Sequence, residues 1–216
     1  PVIVYFFGGG WKLGTPLQFY RECAYYASKG MVAVSVDYRI EYLHHSTPFD
    51  SFEDAKDAIC WLRSHASDYQ LDPDKIAVAG GSAGGHLAAA LGTIGSDEAV
   101  NYRPNLSVLY YPVVDMVSRG YGFPEIKRDF EKISPIHHVS EATPSTLILL
   151  GTKDPIVSVE TIRSYQDKLL QKGVDCELHL FGGAGHPIFL YRKPLTEDYY
   201  KVRKLTDDFL KREGFL

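Results

Sequence analysis

A serine among glycines, Gly80-Gly81-Ser82-Ala83-Gly84-Gly85, carries the clearest chemical signal of this 216-residue chain. An apolar run at 75–79 precedes it and an alanine-rich run at 86–91 follows it, which predicts a strand-to-helix turn. A G-x-S-x-G at such a turn is typical of a nucleophile elbow, where the serine hydroxyl stands exposed at the sheet edge. Glycine is needed on both sides because a Cβ there would collide with neighbouring backbone. The alternative is a tight glycine-rich turn that only packs or binds phosphate.

A nucleophilic serine also needs a base to take its proton and an acid to orient that base. Asp154 follows the apolar run 147–150, and His186 lies in a glycine-rich loop after the apolar run 178–181. Both positions follow predicted strands, at the sheet edge where open α/β folds place their sites. The order Ser82, Asp154, His186 is the one that accompanies an elbow serine, so we predict these three as the catalytic residues.

Two rivals remain for these roles. Asp115 also trails a predicted strand and is the alternative acid, and His86 directly follows the elbow, where we expect its ring to pack or cap. The six other histidines lie within a strand, on a helix or in loops without a glycine run.

The oxyanion of a tetrahedral intermediate needs preorganised donors. The backbone N–H of Ala83, directly after the nucleophile and at a helix start, is one candidate. Glycines let the backbone approach a substrate closely, so the loop Gly8-Gly9-Gly10 is predicted to supply the others, with Gly9 and Gly10 as the assigned donors.

Predicted strands and helices alternate along the whole chain. This order predicts one α/β domain over 1–216, with a doubly wound, mostly parallel sheet. The predicted strands are 2–7, 31–37, 75–79, 106–111, 146–150 and 176–181, and the predicted helices are 16–29, 52–67, the elbow helix, 159–172 and 198–212. Residues 38–48 are expected to form a loop rich in histidine and tyrosine.

Composition excludes several functional classes. A net charge of -4, without a basic run, argues against nucleic-acid and anionic-membrane partners. No apolar stretch reaches the roughly 18 residues of a membrane span. The three scattered cysteines form neither a disulfide framework nor a metal-ligand pattern, so no metal or cofactor is implied. The chain begins at Pro1, already within a strand, which suggests a trimmed N-terminus and leaves compartment and oligomeric state open.

The motifs resemble the esterase/lipase branch of the α/β-hydrolase superfamily related to hormone-sensitive lipase, including bacterial acetyl and carbohydrate esterases. The matching pieces are Phe7-Gly8-Gly9-Gly10-Trp11, Asp37-Tyr38-Arg39, Asp54-Ala55, the elbow, Gly151-x-x-Asp154 and Gly185-His186. The resemblance implies an α/β-hydrolase fold, a Ser82, Asp154, His186 triad and an oxyanion hole from Gly9, Gly10 and Ala83.

The chain departs from the family pattern at two places. Phe7 stands where the family has histidine, so the bonds that brace the oxyanion loop are expected from elsewhere or not at all. The usual leading antiparallel strands, and any N-terminal cap, are expected to be missing.

The loops around the predicted site indicate the substrate preference. A short lid-like insertion at about 112–145, containing Tyr121-Gly122-Phe123-Pro124, predicts an open site rather than a lipase tunnel. We therefore expect a carboxylesterase for small acyl groups, with acetyl esters on carbohydrate such as xylan as the first candidate. Trp11, Tyr38, Tyr42 and the pair His44-His45 are candidates to line the site or to be plain loop surface. The alternatives are an amide hydrolase, such as an arylformamidase or peptidase, and a non-catalytic binding relative.

Overall fold

Strands and helices alternate in the structure as the sequence predicts. The computed structural model describes residues 1–95, 101–117, 124–191 and 195–216. The strands are β1 (Val2–Phe6), β2 (Val32–Val36), β3 (Ile76–Gly81), β4 (Leu106–Tyr110), β5 (Thr146–Gly151) and β6 (Cys176–Phe181). The α-helices are α1 (Tyr20–Ala27), α2 (Glu41–His44), α3 (Pro48–Ser64), α4 (Ala83–Thr93), α5 (Val159–Gln171) and α6 (Glu197–Arg212), and 3-10 helices span Pro16–Phe19, Pro124–Ile133 and Pro135–His137.

The described strands form one six-stranded sheet in the order β2-β1-β3-β4-β5-β6, and every neighbouring pair is parallel. Strands β1, β3, β4 and β5 are buried along their whole length, so both faces of the sheet centre are covered. Helix α3 packs on α4, while α1 and α6 are joined by the bond from the Tyr199 hydroxyl to Glu22. The predicted doubly wound α/β fold is confirmed.

The order of the strands reverses direction between β1 and β3. The chain moves from β1 outward to β2, then returns to β3 on the other side of β1 and continues outward. Loops that leave β1 and β3 therefore diverge at the carboxyl edge of the sheet and open a crevice, where α/β folds place their ligands. Phe6 is paired with Gly80, which sets the loop beginning at Gly8 beside Ser82.

The segment expected to be a loop at 38–48 is partly helical, which corrects the prediction. It contains α2, and α3 begins at Pro48 rather than Phe52 because Pro48 occupies the first turn and Thr47 and Asp50 form a reciprocal capping box. Two family motifs meet here, because the Arg39 guanidinium binds the Asp54 carboxylate at 2.7 Å.

The stretch predicted as a lid-like insertion is described only in part. Tyr121, Gly122 and Phe123 lie outside the described residues. In the described part, the Phe130 ring is buried and stacks on Phe49, and the Ile136 N–H donates to the Val114 carbonyl. These contacts tie the segment to the body of the fold. Among the described helices, none combines the length and apolarity that crossing a membrane requires.

Candidate active site

Ser82 lies in a turn that only glycine neighbours permit. Its backbone has φ 57° and ψ -118°, a conformation that L-residues rarely adopt. A Cβ on Gly80 would lie 2.3 Å from the Gly84 carbonyl oxygen, and one on Gly84 would lie 2.0 Å from the Phe6 carbonyl oxygen. These collisions with the helix and with β1 are the ones that the sequence predicts. The turn presents the Ser82 hydroxyl at the crevice, directly before α4.

His186 stands between Ser82 and Asp154. Its Nε2 is 2.8 Å from the Ser82 Oγ, and its Nδ1 is 2.7 Å from the Asp154 Oδ2. An ionised carboxylate can only accept, so Nδ1 carries the proton and the Nε2 lone pair faces the Ser82 hydroxyl. The structure thus brings the three predicted residues into one hydrogen-bonded line.

Asp154 is fixed by its own loop as well as by His186. Its side chain is 0% exposed, and its Oδ1 accepts the backbone N–H groups of Ile156 and Val157 at 2.8 and 2.9 Å. Burial by itself raises the pKa of this carboxyl, but the bonds from His186, Val157 and Ile156 outweigh it and hold the pKa below its usual range. The rival Asp115 instead accepts the N–H of Val117.

The loops that carry Asp154 and His186 are bonded to each other. They leave the paired ends of β5 and β6, where Gly151 is in register with Phe181. The Lys153 N–H donates to the Ala184 carbonyl, and the Thr152 hydroxyl accepts the Gly183 N–H. Acid and base are therefore positioned as one unit.

Backbone donors stand free beside Ser82. Within the part of the chain that the structure describes, the N–H groups of Gly9, Gly10 and Ala83 donate to no protein acceptor. The Gly8 N–H differs, because it donates to the Gln18 Oε1 at 2.7 Å. Two outcomes were open for this loop, a bracing bond from a residue other than Phe7 or none, and the Gln18 bond is the first of these.

A cavity of about 450 Å³ adjoins Ser82, His186 and the glycine loop. Its wall is mostly apolar and is formed by Gly8, Gly9, Gly10, Trp11, Leu13, Gln18, Ser82, Tyr111, Val113, Ile156, His186, Pro187 and Leu190. Of the loop aromatics and histidines considered as lining, Trp11 contributes. Tyr38 is instead buried in a stack on Phe7 at 4.1 Å, and the His44 Nδ1 accepts the Ile40 N–H. Tyr42 and His45 border a separate groove.

His86 packs, as expected from its place after the elbow. Its Nε2 lies 2.7 Å from the Ile133 carbonyl oxygen, and its ring meets Trp11 edge-on at 5.1 Å. A carbonyl only accepts, so the proton is on Nε2. Burial lowers the pKa of His86 to about 4.

The sequence reasoning missed two polar neighbours of the site. The Tyr111 ring meets His186 edge-on at 4.8 Å, and its place directly after β4 is the same strand-end signal that selects Asp154. Gln18 lies on a 3-10 helix, and nothing in its local sequence marks it. Among the described residues, no three His, Cys, Asp or Glu side chains are grouped to hold a metal ion.

Comparison with known protein families identifies the family of this chain. The BD-FAE family profile matches residues 1–122, more than half of the chain, including the elbow and the glycine loop. The chain belongs to the BD-FAE family. This BD-FAE chain is an α/β-hydrolase of the esterase and lipase group, as its motifs suggest.

Several relatives of this BD-FAE chain are named as esterases. Est2, a thermophilic esterase from Thermogutta terrifontis, is 38% identical with a TM-score of 0.92, over 100% of this chain and 82% of that one. Esterase LipC of Mycobacterium tuberculosis is 32% identical over 78% of this chain and 48% of its own. An acetylxylan esterase of Xylanibacter ruminicola is 25% identical over 88% of this chain and 42% of its own.

The chain spans about half the length of the curated relatives that it matches. Est2 has also been solved with bound propionate, with bound butyrate and after phosphorylation by paraoxon.

Proposed function

We propose that this BD-FAE protein is a serine carboxylesterase that cleaves esters of small acyl groups, with acetyl esters on carbohydrate such as xylan as the first candidate. One observation carries the proposal: the Ser82–His186–Asp154 hydrogen-bonded line opens into a cavity beside unused backbone donors. This constellation has the parts that acyl transfer requires, namely a nucleophile, an oriented base and an oxyanion site.

Acylation follows from the protonation states of the site. As the Ser82 Oγ attacks the ester carbonyl, His186 takes the serine proton on Nε2, and the Asp154 carboxylate stabilises the imidazolium through Nδ1. The carbonyl oxygen becomes an oxyanion, which the N–H groups of Gly9, Gly10 and Ala83 stabilise. Collapse of the intermediate expels the alcohol, and His186 returns its proton to the leaving oxygen.

Deacylation repeats the sequence with water as the nucleophile. His186 takes a proton from water, the hydroxide adds to the acyl carbonyl, and the same donors receive the second oxyanion. The Ser82 oxygen leaves and regains its proton from His186, which releases the carboxylic acid. Every proton is carried by groups of this chain, so the scheme needs no cofactor.

The preference for a small acyl group rests on the relatives and on the few residues that the stretch 112–145 adds to the cavity wall. The cavity is about 450 Å³ and walled in part by Trp11, Val113 and Ile156. Of the described residues between 112 and 145, Val113 is the one that lines it, which agrees with a short insertion in a single catalytic domain. The propionate and butyrate in Est2, and the likeness to an acetylxylan esterase, favour the same size class.

A chain-length series of p-nitrophenyl esters, run beside acetylated xylan and p-nitroacetanilide, tests this proposal. We expect acetate to butyrate esters to be cleaved with a much higher kcat/KM than octanoate, and acetate to be released from xylan. Octanoate as the best ester would overturn the acyl-size assignment, and no release from xylan would overturn the carbohydrate assignment. Turnover of the anilide without ester turnover would instead identify the alternative, an amide hydrolase.

A further inference from the structure

The peptide unit between Phe7 and Gly8 is held at both of its polar ends. Its carbonyl accepts the Tyr38 hydroxyl at 2.5 Å, and its N–H donates to the Gln18 Oε1 at 2.7 Å. Because an N–H needs an acceptor, this bond also fixes the orientation of the Gln18 amide, with oxygen toward Gly8 and the NH₂ group turned away. Two side chains from different parts of the fold therefore fix one peptide plane.

That peptide is the first of the glycine loop, and a rigid support is needed there to fix the loop conformation. Gly8, Gly9 and Gly10 follow one another, and glycine populates more backbone conformations than any other residue. Gly9 and Gly10 already have φ values of 148° and 63°. Donors stabilise an oxyanion efficiently only if they are oriented before the reaction, so an unsupported glycine loop would make a poor oxyanion site.

Gln18 is itself mounted on a rigid element. It lies in the 3-10 helix Pro16–Phe19, and its own N–H donates to the Thr15 carbonyl. The next residue, Phe19, is buried and stacks on Tyr5 of β1 at 4.8 Å. The Gln18 side chain also borders the active-site cavity.

We propose that Gln18 is a positioning residue for oxyanion stabilisation, which it serves by holding the Gly8 N–H. This assignment rests on the esterase function proposed above. By occupying the first of the three glycine N–H groups, Gln18 sets the loop so that those of Gly9 and Gly10 stay available to the substrate. It acts through the backbone and exchanges no proton with the substrate.

The variant Gln18→Met tests this role, because methionine keeps the length of the side chain and removes the amide oxygen. We expect kcat for p-nitrophenyl acetate to fall about 10- to 100-fold, less than the roughly 10²–10³ typical of losing an oxyanion donor itself, with KM nearly unchanged. The preference for p-nitrophenyl acetate over its thionoester should also shrink, because a thiocarbonyl sulfur gains less from the N–H donors. A purely structural role would not move this oxygen-to-sulfur ratio.

The matched control is Gln166→Met on α5, where the Gln166 amide donates to the Cys176 carbonyl outside the cavity lining. It should keep the wild-type kcat and oxygen-to-sulfur ratio. Wild-type values in Gln18→Met would overturn the proposal, as would losses of equal size in both variants. Ester turnover that persists in the Ser82→Ala variant would instead contradict the proposed function itself.

Amide hydrogen exchange on the unaltered enzyme gives a test that does not depend on how the variants fold. The Gly8 N–H should exchange much more slowly than those of Gly9 and Gly10. Equal exchange rates at the three glycines would show that the Gln18 bond is not kept in solution and would overturn the proposal.

Discussion

Ser82 combines backbone strain with a hydroxyl that is hydrogen-bonded to the catalytic base candidate His186, which is the arrangement expected of a nucleophile. Its φ of 57° costs on the order of 1–3 kcal/mol for a non-glycine residue, and such strain persists only where the surroundings enforce it. Here β3, α4 and the paired β1 enforce it together. The strained turn holds the hydroxyl 2.8 Å from the His186 Nε2, and does not bury it in the interior of the fold.

Ser82 and His186 depend on each other for catalysis. We expect Ser82→Ala and His186→Ala each to lower kcat by several orders of magnitude, because attack and proton transfer occur in one step. The double variant should be hardly worse than either single variant. Steady-state kinetics on p-nitrophenyl acetate measures this, and additive losses would show that the two residues do not act as a unit.

At the elbow, β1, β3 and α4 approach one another closely. Gly84→Ala places a methyl group 2.0 Å from the Phe6 carbonyl oxygen, so the helix and the strand must separate. We expect a loss of at least about 1–3 kcal/mol of unfolding free energy, together with loss of activity.

Urea denaturation measures this change. Gly182→Ala is the control, because a Cβ at Gly182 has no other atom within 4 Å and its backbone lacks a positive φ. A Gly84→Ala protein as stable as the control would contradict the close packing of the elbow.

The contact between α4 and the segment that ends at Ile133 is linked to pH through His86. Burial lowers the pKa of this imidazole from 6.5 to about 4, so between these values the unfolded chain binds a proton that the folded chain does not. Stability contributed by neutral His86 is therefore complete above pH 6.5 and declines as the pH falls toward 4. The loss at pH 5 should be about 2 kcal/mol.

Unfolding free energies at pH 7.5 and pH 5 for wild type and His86→Gln measure this effect. The variant starts from lower stability, because a well-packed buried ring is replaced, but it should lose less on acidification. Equal losses in the two proteins would contradict a neutral His86 in the folded state.

At the scale of the whole molecule, the residues at strand ends are the part of the site that local sequence patterns predict. Ser82, Asp154 and His186 each follow a strand, and parallel pairing brings the carboxyl ends of all strands to one edge, so these patterns suffice to select them. The start of α3 at Pro48 was missed because its capping box lies within residues that look like a loop. The bond between Gln18 and Gly8 depends on packing between distant segments, and so does the position of Tyr42 and His45 at a separate groove. Local sequence patterns do not encode such packing.

Covalent labelling by paraoxon tests whether Ser82 is the nucleophile of an esterase. Est2, which shares the fold, has been solved phosphorylated by this compound. We predict that one equivalent of paraoxon adds a single diethylphosphoryl group, that peptide mass spectrometry finds it on Ser82, and that p-nitrophenyl acetate turnover falls in proportion. The Ser82→Ala variant should stay unlabelled and inactive. A label on another residue, or full turnover after Ser82 is labelled, would contradict the role of Ser82 as the nucleophile.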